Sequence, residues 1–105
     1  MTAPGLTGSA RVVTPKADRY AKQLVSHLGR KLEFRTEGAT STAAIGTGTG
    51  QIVIADDASA LTLIARGDDS ETVARVEHVL ASHLERFAQR DELAVEWNRS
   101  SSGAG

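Results

Sequence analysis

Three histidines, His27, His78 and His83, are the side chains of this 105-residue sequence whose ordinary titration falls near neutral pH, so metal ligation or general base chemistry would be sought there first. His78 and His83 are five residues apart on one helical segment, about 140° round the axis, and cannot share a metal as an i, i+4 pair would. Helical periodicity turns His78 to solvent and puts His83 beside Val76 and Phe87 at the edge of an apolar stripe. His27 lies at the flank of an earlier stripe, near Tyr20 and Leu24. Two such helices packed side by side bring His27 and His83 towards each other across their seam. The competing expectation is a pair of half-buried histidines, each hydrogen-bonded to backbone or carboxylate.

Other groupings point less far. Gly46-Thr47-Gly48-Thr49-Gly50 could bring backbone amides up to a phosphate, but the third glycine of a dinucleotide fingerprint would fall on Gln51 and no Gly-Lys-Ser/Thr follows. A flexible hairpin turn accounts for it better. Asp56-Asp57 and Asp68-Asp69 offer hard oxygen ligands without the spacing of a calcium loop, and both fall where turns or helix caps are expected. No serine lies in a Gly-x-Ser-x-Gly elbow. The absence of cysteine removes disulfides, thiolate zinc sites, iron–sulfur ligation and cysteine nucleophiles. No catalytic residue, metal site or cofactor is assigned on these grounds.

The elements that must position the histidines follow from periodicity. Ser9–Thr14 reads as a strand, and Thr14-Pro15 as the N-cap and first position of a helix whose face is Ala17, Tyr20, Ala21, Leu24 and Leu28, ending at Gly29. Leu32–Arg35 alternates as a half-buried strand, turning at Glu37-Gly38. Ala43–Ile45 is a weaker strand, and 46–50 could be strand or loop. Gln51–Ile54 and Ala60–Ile64 are strands joined by a turn at 56–59. Asp68, Asp69 or Ser70 caps a second helix carrying Val73, Val76, Leu80, Leu84 and Phe87, and Leu93, Val95 and Trp97 alternate in a closing strand. The order β-α-β-β-β-β-α-β predicts an α+β two-layer sandwich, a mainly antiparallel sheet with both helices packed on one face. Residues 9–98 form the expected domain. Residues 1–8 and 99–105 are poor in apolar side chains and are expected to be disordered.

Helices on one face leave the other bare, and the residues expected there mix charge with apolar groups: Arg11, Val13, Glu33, Arg35, Val53, Thr62, Ile64 and Glu96. Among these Val13, Arg35, Val53 and Ile64 mark a dimer interface or a ligand platform. Trp97 either packs over the open end of the core or lines a ligand or partner surface. Lys+Arg 12 against Asp+Glu 13 gives a net charge of -1, which lacks the footprint of a nucleic-acid partner or a polybasic membrane tether. No apolar run approaches the roughly 18–20 residues of a membrane span, and the opening Met1-Thr2-Ala3-Pro4-Gly5 is neither basic nor apolar, so a cytoplasmic location is expected.

The run His83-Leu84-Glu85-Arg86-Phe87-Ala88-Gln89-Arg90-Asp91-Glu92-Leu93-Ala94-Val95-Glu96-Trp97 resembles the C-terminal signature of a bacterial family catalogued as domain of unknown function 2218. Ala10-Arg11-Val12, Tyr20-Ala21-Lys22-Gln23-Leu24 with His27, and Leu61-Thr62-Leu63 add to the likeness, which spans roughly residues 9–97. The glycine–threonine stretch departs from it, where the family carries a more strand-like segment. The family has no established activity. The resemblance implies a context of siderophore-interacting proteins, hence iron or siderophore handling, and points to His27, His83 and Arg90.

The sequence therefore predicts a non-catalytic binding or accessory protein that self-associates through its open sheet face and takes an unidentified small molecule, with His27, His83, Arg90 and Trp97 as ligand-binding candidates. The alternative is a metal- or siderophore-handling protein, or a minor enzyme, using His27 and His83. A purely structural interaction module differs from the first only in lacking a ligand.

Overall fold

Alternation of apolar and polar residues with period 2 builds strands here, and two stripes of period 3.6 build the helices that cover them. The computed structural model describes residues 6–57, 59–88 and 95–101. Its elements are β1 (Leu6–Val13), α1 (Ala17–Leu28), β2 (Arg35–Glu37), β3 (Thr40–Ile45), β4 (Gly48–Ile54), β5 (Ala60–Gly67), α2 (Ser70–Phe87) and β6 (Asn98–Ser101). The strands form one antiparallel sheet in the order β2-β3-β4-β5-β1-β6. This is the α+β order and one-sided helix packing that the sequence predicts. None of the helices among the described residues is long and apolar enough to cross a membrane.

The core lies between the helices and the inner face of β4, β5 and β1. Leu24 of α1 and Val73, Val76, Leu80 and Leu84 of α2 are fully buried against Ile52, Leu61 and Leu63. Each such side chain contributes roughly 1.5–3 kcal/mol through burial. Helix α2 starts at its cap: Asp69 is extended, and its carboxylate accepts the backbone N–H of Thr72 at 2.7 Å.

Four local expectations are corrected. Thr14 and Pro15 precede α1, which begins at Ala17; Thr14 Oγ1 instead accepts the Lys16 N–H at 3.2 Å in a turn, so its capping capacity is used before the helix starts. Strand β2 begins at Arg35 because the chain is still turning out of α1 at Leu32, whose N–H bonds Leu28 O at 2.8 Å, while Leu32 and Phe34 pack on the core.

The glycine–threonine stretch is mostly strand. Only Gly46-Thr47 forms the turn, with Gly46 at φ 61°, and Gly48 pairs with Ile45. A Cβ on Gly48 would meet Arg66 O at 2.6 Å and Val76 Cγ2 at 2.8 Å, so the residue is small because α2 rests on it. Finally, the sheet is longer at both ends than 9–98: β1 begins at Leu6, and the closing strand is Asn98–Ser101, with 95–97 of the expected strand lying outside it. Val95 N–H donates to Glu85 Oε2 at 3.2 Å instead of to a neighbouring strand, and Arg99 is fixed by an ion pair described below. Leu93 and Ala94 lie outside the described residues.

Candidate ligand site at the seam of the helices

Both histidines sit on the flanks of their stripes, and packing of α1 beside α2 brings the flanks together. The His27 and His83 rings are 5.2 Å apart between centroids, tilted at 45°, and both residues are half-buried. Phe87, one turn beyond His83, meets His27 edge-on at 5.2 Å and 82°. His83 Nδ1 lies 2.6 Å from the carbonyl oxygen of Val79. A carbonyl only accepts, so Nδ1 carries a proton and donates, and in the neutral ring Nε2 is the acceptor. A backbone carbonyl that orients an imidazole in this way leaves it able to ligate a cation or accept a hydrogen bond. His78 is exposed, as its helical position predicts.

Trp97 and the four sheet-face candidates do not converge on that seam. Trp97 is half-buried against the core, in a segment that runs along α2 between two anchor points, Glu85 at Val95 and Glu77 at Arg99. His83 lies roughly 120–160° round α2 from that flank. Arg90 lies outside the described residues. Val13, Arg35, Val53 and Ile64 all fall on the uncovered sheet face: Arg35 shares a cross-strand row with Thr42, Gln51 and Ile64, and Val53 pairs with Thr62 opposite Arg11. Val13 is 65% exposed, while Val53 and Ile64 are half-buried.

Sequence reasoning missed a two-point ion pair between α2 and β6. Glu77, only 8% exposed, receives Arg99 Nη2 on Oε1 at 2.8 Å and Arg99 Nε on Oε2 at 3.1 Å. This fork-to-fork pair holds the Arg99 guanidinium above its already high ordinary pKa. It also ties β6 to α2 across β1, where a Cβ on Gly8 would run into Glu77 Oε2. The only sequence signal for it was a glutamate directly beside Val76 on the buried stripe.

The aspartates have local duties. Hydrogen bonds from the Ser59 hydroxyl and backbone N–H hold the Asp57 carboxyl below the usual carboxylate range, in the turn between β4 and β5. The Thr72 backbone N–H and then its hydroxyl do the same for Asp69. Among the described residues no three of His, Cys, Asp and Glu gather as a metal cluster, so the seam offers two imidazoles.

A family model described as an uncharacterized protein conserved in bacteria, DUF2218, matches residues 9–98. The NMR structure of PA4090 from Pseudomonas aeruginosa is similar in fold, with a TM-score of 0.73 and 24% sequence identity over 89% of this chain and 95% of that one. No curated protein matches the chain.

Proposed function

This chain belongs to the family of uncharacterized proteins conserved in bacteria, DUF2218, and we propose that it is a non-catalytic binding or accessory domain whose ligand meets the His27–His83 seam. One observation carries the reading: the Val79 carbonyl holds a His83 proton on Nδ1, which makes Nε2 the acceptor of the neutral ring, beside a second imidazole whose centroid is 5.2 Å away. In their neutral form two imidazoles suit a borderline divalent cation or a hydrogen-bonding small molecule. Two protein ligands fall short of the four of a closed structural zinc centre, so a cation here binds reversibly, with solvent or a ligand group completing its shell.

A thermal-shift screen against divalent and ferric cations, siderophores and small anions tests this, because a ligand selective for the folded chain raises its melting temperature. At least one of these is expected to stabilise the protein, with the shift lost in both His27→Ala and His83→Ala. A screen with no shift, or a shift that survives both substitutions together, sinks the reading. The siderophore arm addresses the iron context that the family resemblance implies.

Exposed Val13 on the bare sheet face, which also carries Val53 and Ile64, favours a second element of the proposal, self-association through that face. Sedimentation is expected to give a dimer mass that Val13→Asp converts to a monomer mass. A monomer at high concentration refutes it.

A further inference from the structure

On the opposite side of the molecule from β6, the helices stop short of the sheet edge. They pack chiefly on β4, β5 and β1; Ser41, Ala43 and Ile45 on the inner face of β3 are still buried, whereas β2 is exposed throughout, so the helical cover thins out at the β2 edge. Between α1 and this β2–β3 hairpin lies a cleft of about 310 Å³. Ala21 and Val25 of α1 and Ile52 and Ile54 of β4 give it an apolar floor. Ile54 and Val25 are only half-buried, so the floor is open to an occupant.

One wall is polar in a specific way. Ser41 is on the core-facing side of β3 and 8% exposed, and its hydroxyl pairs with that of Thr36, directly across the register, at 2.9 Å. Two hydroxyls share one hydrogen bond and keep a second O–H and further lone pairs between them, a donor and acceptor for one incoming polar group. The mouth is electrically quiet: Asp18 and Lys22 pair with each other at 3.1 Å along α1. A charged head group would have to compete with that pair, whereas a neutral one would not.

We infer that this cleft binds a small neutral amphiphile, an apolar body of about ten heavy atoms by water-equivalent volume, with one hydroxyl or carbonyl seated on the Ser41–Thr36 hydroxyls. The site is independent of the histidine seam.

Titration of the ¹⁵N-labelled full chain with 1-octanol tests the inference. Saturable amide shifts are expected to centre on Ala21, Val25, Ser41 and Ile54, and to persist in the His27→Ala/His83→Ala double variant. Ser26→Trp, at an exposed position on the cleft wall, is expected to abolish them while leaving the rest of the spectrum folded. Ser41→Ala is expected to weaken binding about 5-fold, the effect of one hydrogen bond. Absence of saturable shifts in the unmodified chain, or shifts unchanged by Ser26→Trp, overturns the site. Octanoate or octylammonium binding as tightly as octanol overturns the neutral head group.

Discussion

Helix α2 carries two polar pairs, and they are built differently. Glu77 and Arg99 use both carboxylate oxygens and two guanidinium nitrogens on each other, with the carboxylate almost sealed from water. His83 and His27 approach as rings, and only one nitrogen, His83 Nδ1, is bound within the helix. The first pair is saturated and holds a strand in place. The second, in its neutral form, offers the His83 Nε2 lone pair at a half-buried position. Saturation of this kind marks architecture; an oriented but unused acceptor is what a ligand requires.

The contrast can be broken most forcefully at Arg99. Arg99→Ala strands a carboxylate that is 8% exposed and is expected to cost about 2–3 kcal/mol in denaturant unfolding. This is below the ~3–5 kcal/mol typical of a wholly buried pair, because the Arg99 side chain is 38% exposed. Gly8→Ala forces Glu77 Oε2 to move and is expected to cost about 1–2 kcal/mol, less than additively with Arg99→Ala, since both disturb one contact.

Double-mutant cycles sharpen the comparison. The Glu77→Ala/Arg99→Ala cycle is expected to show a coupling above about 1 kcal/mol, and the His27→Ala/His83→Ala cycle less than about 0.5 kcal/mol. Equal couplings would erase the distinction between an architectural pair and a ligand-ready one.

Acid is the mildest probe. The carboxyls of Asp57 and Asp69 titrate lower in the folded chain than unfolded. Their contribution is therefore complete above the unfolded value near pH ~4 and is lost as pH falls through the depressed folded values. Asp69→Asn is expected to flatten stability against pH below about 4 while α2 still starts at the same residue, since asparagine also caps.

The histidine seam was legible in the sequence because helical period fixes which flank a residue occupies, and two stripes on one sheet face must place their flanks together. The Glu77–Arg99 clamp was illegible for the opposite reason. Arg99 stands among serines and glycines, a composition that reads as a tail, and nothing local reports a partner on a distant helix turn. Gly48 misled in a third way. A glycine required by a helix resting on the strand looks, in one dimension, the same as a glycine required by a turn. Thr14-Pro15 carried a sound helix-start signal two residues early, because the threonine hydroxyl serves equally well in the preceding turn.

Strand order also bears on how the chain folds. β1 lies between β5 and β6, with Leu6 against Gly67 on one side and Ser101 on the other. A chain made from its N-terminal end therefore carries β1 without either partner until β5 has been synthesised, and its second edge stays open until β6 arrives. The β3–β4–β5 hairpins close over short loops, whereas β1 must wait for long-range closure, which slows folding. Polar Thr7, Ser9 and Arg11, alternating with Gly8, Ala10 and Val12, keep that waiting strand from being a sticky apolar ribbon.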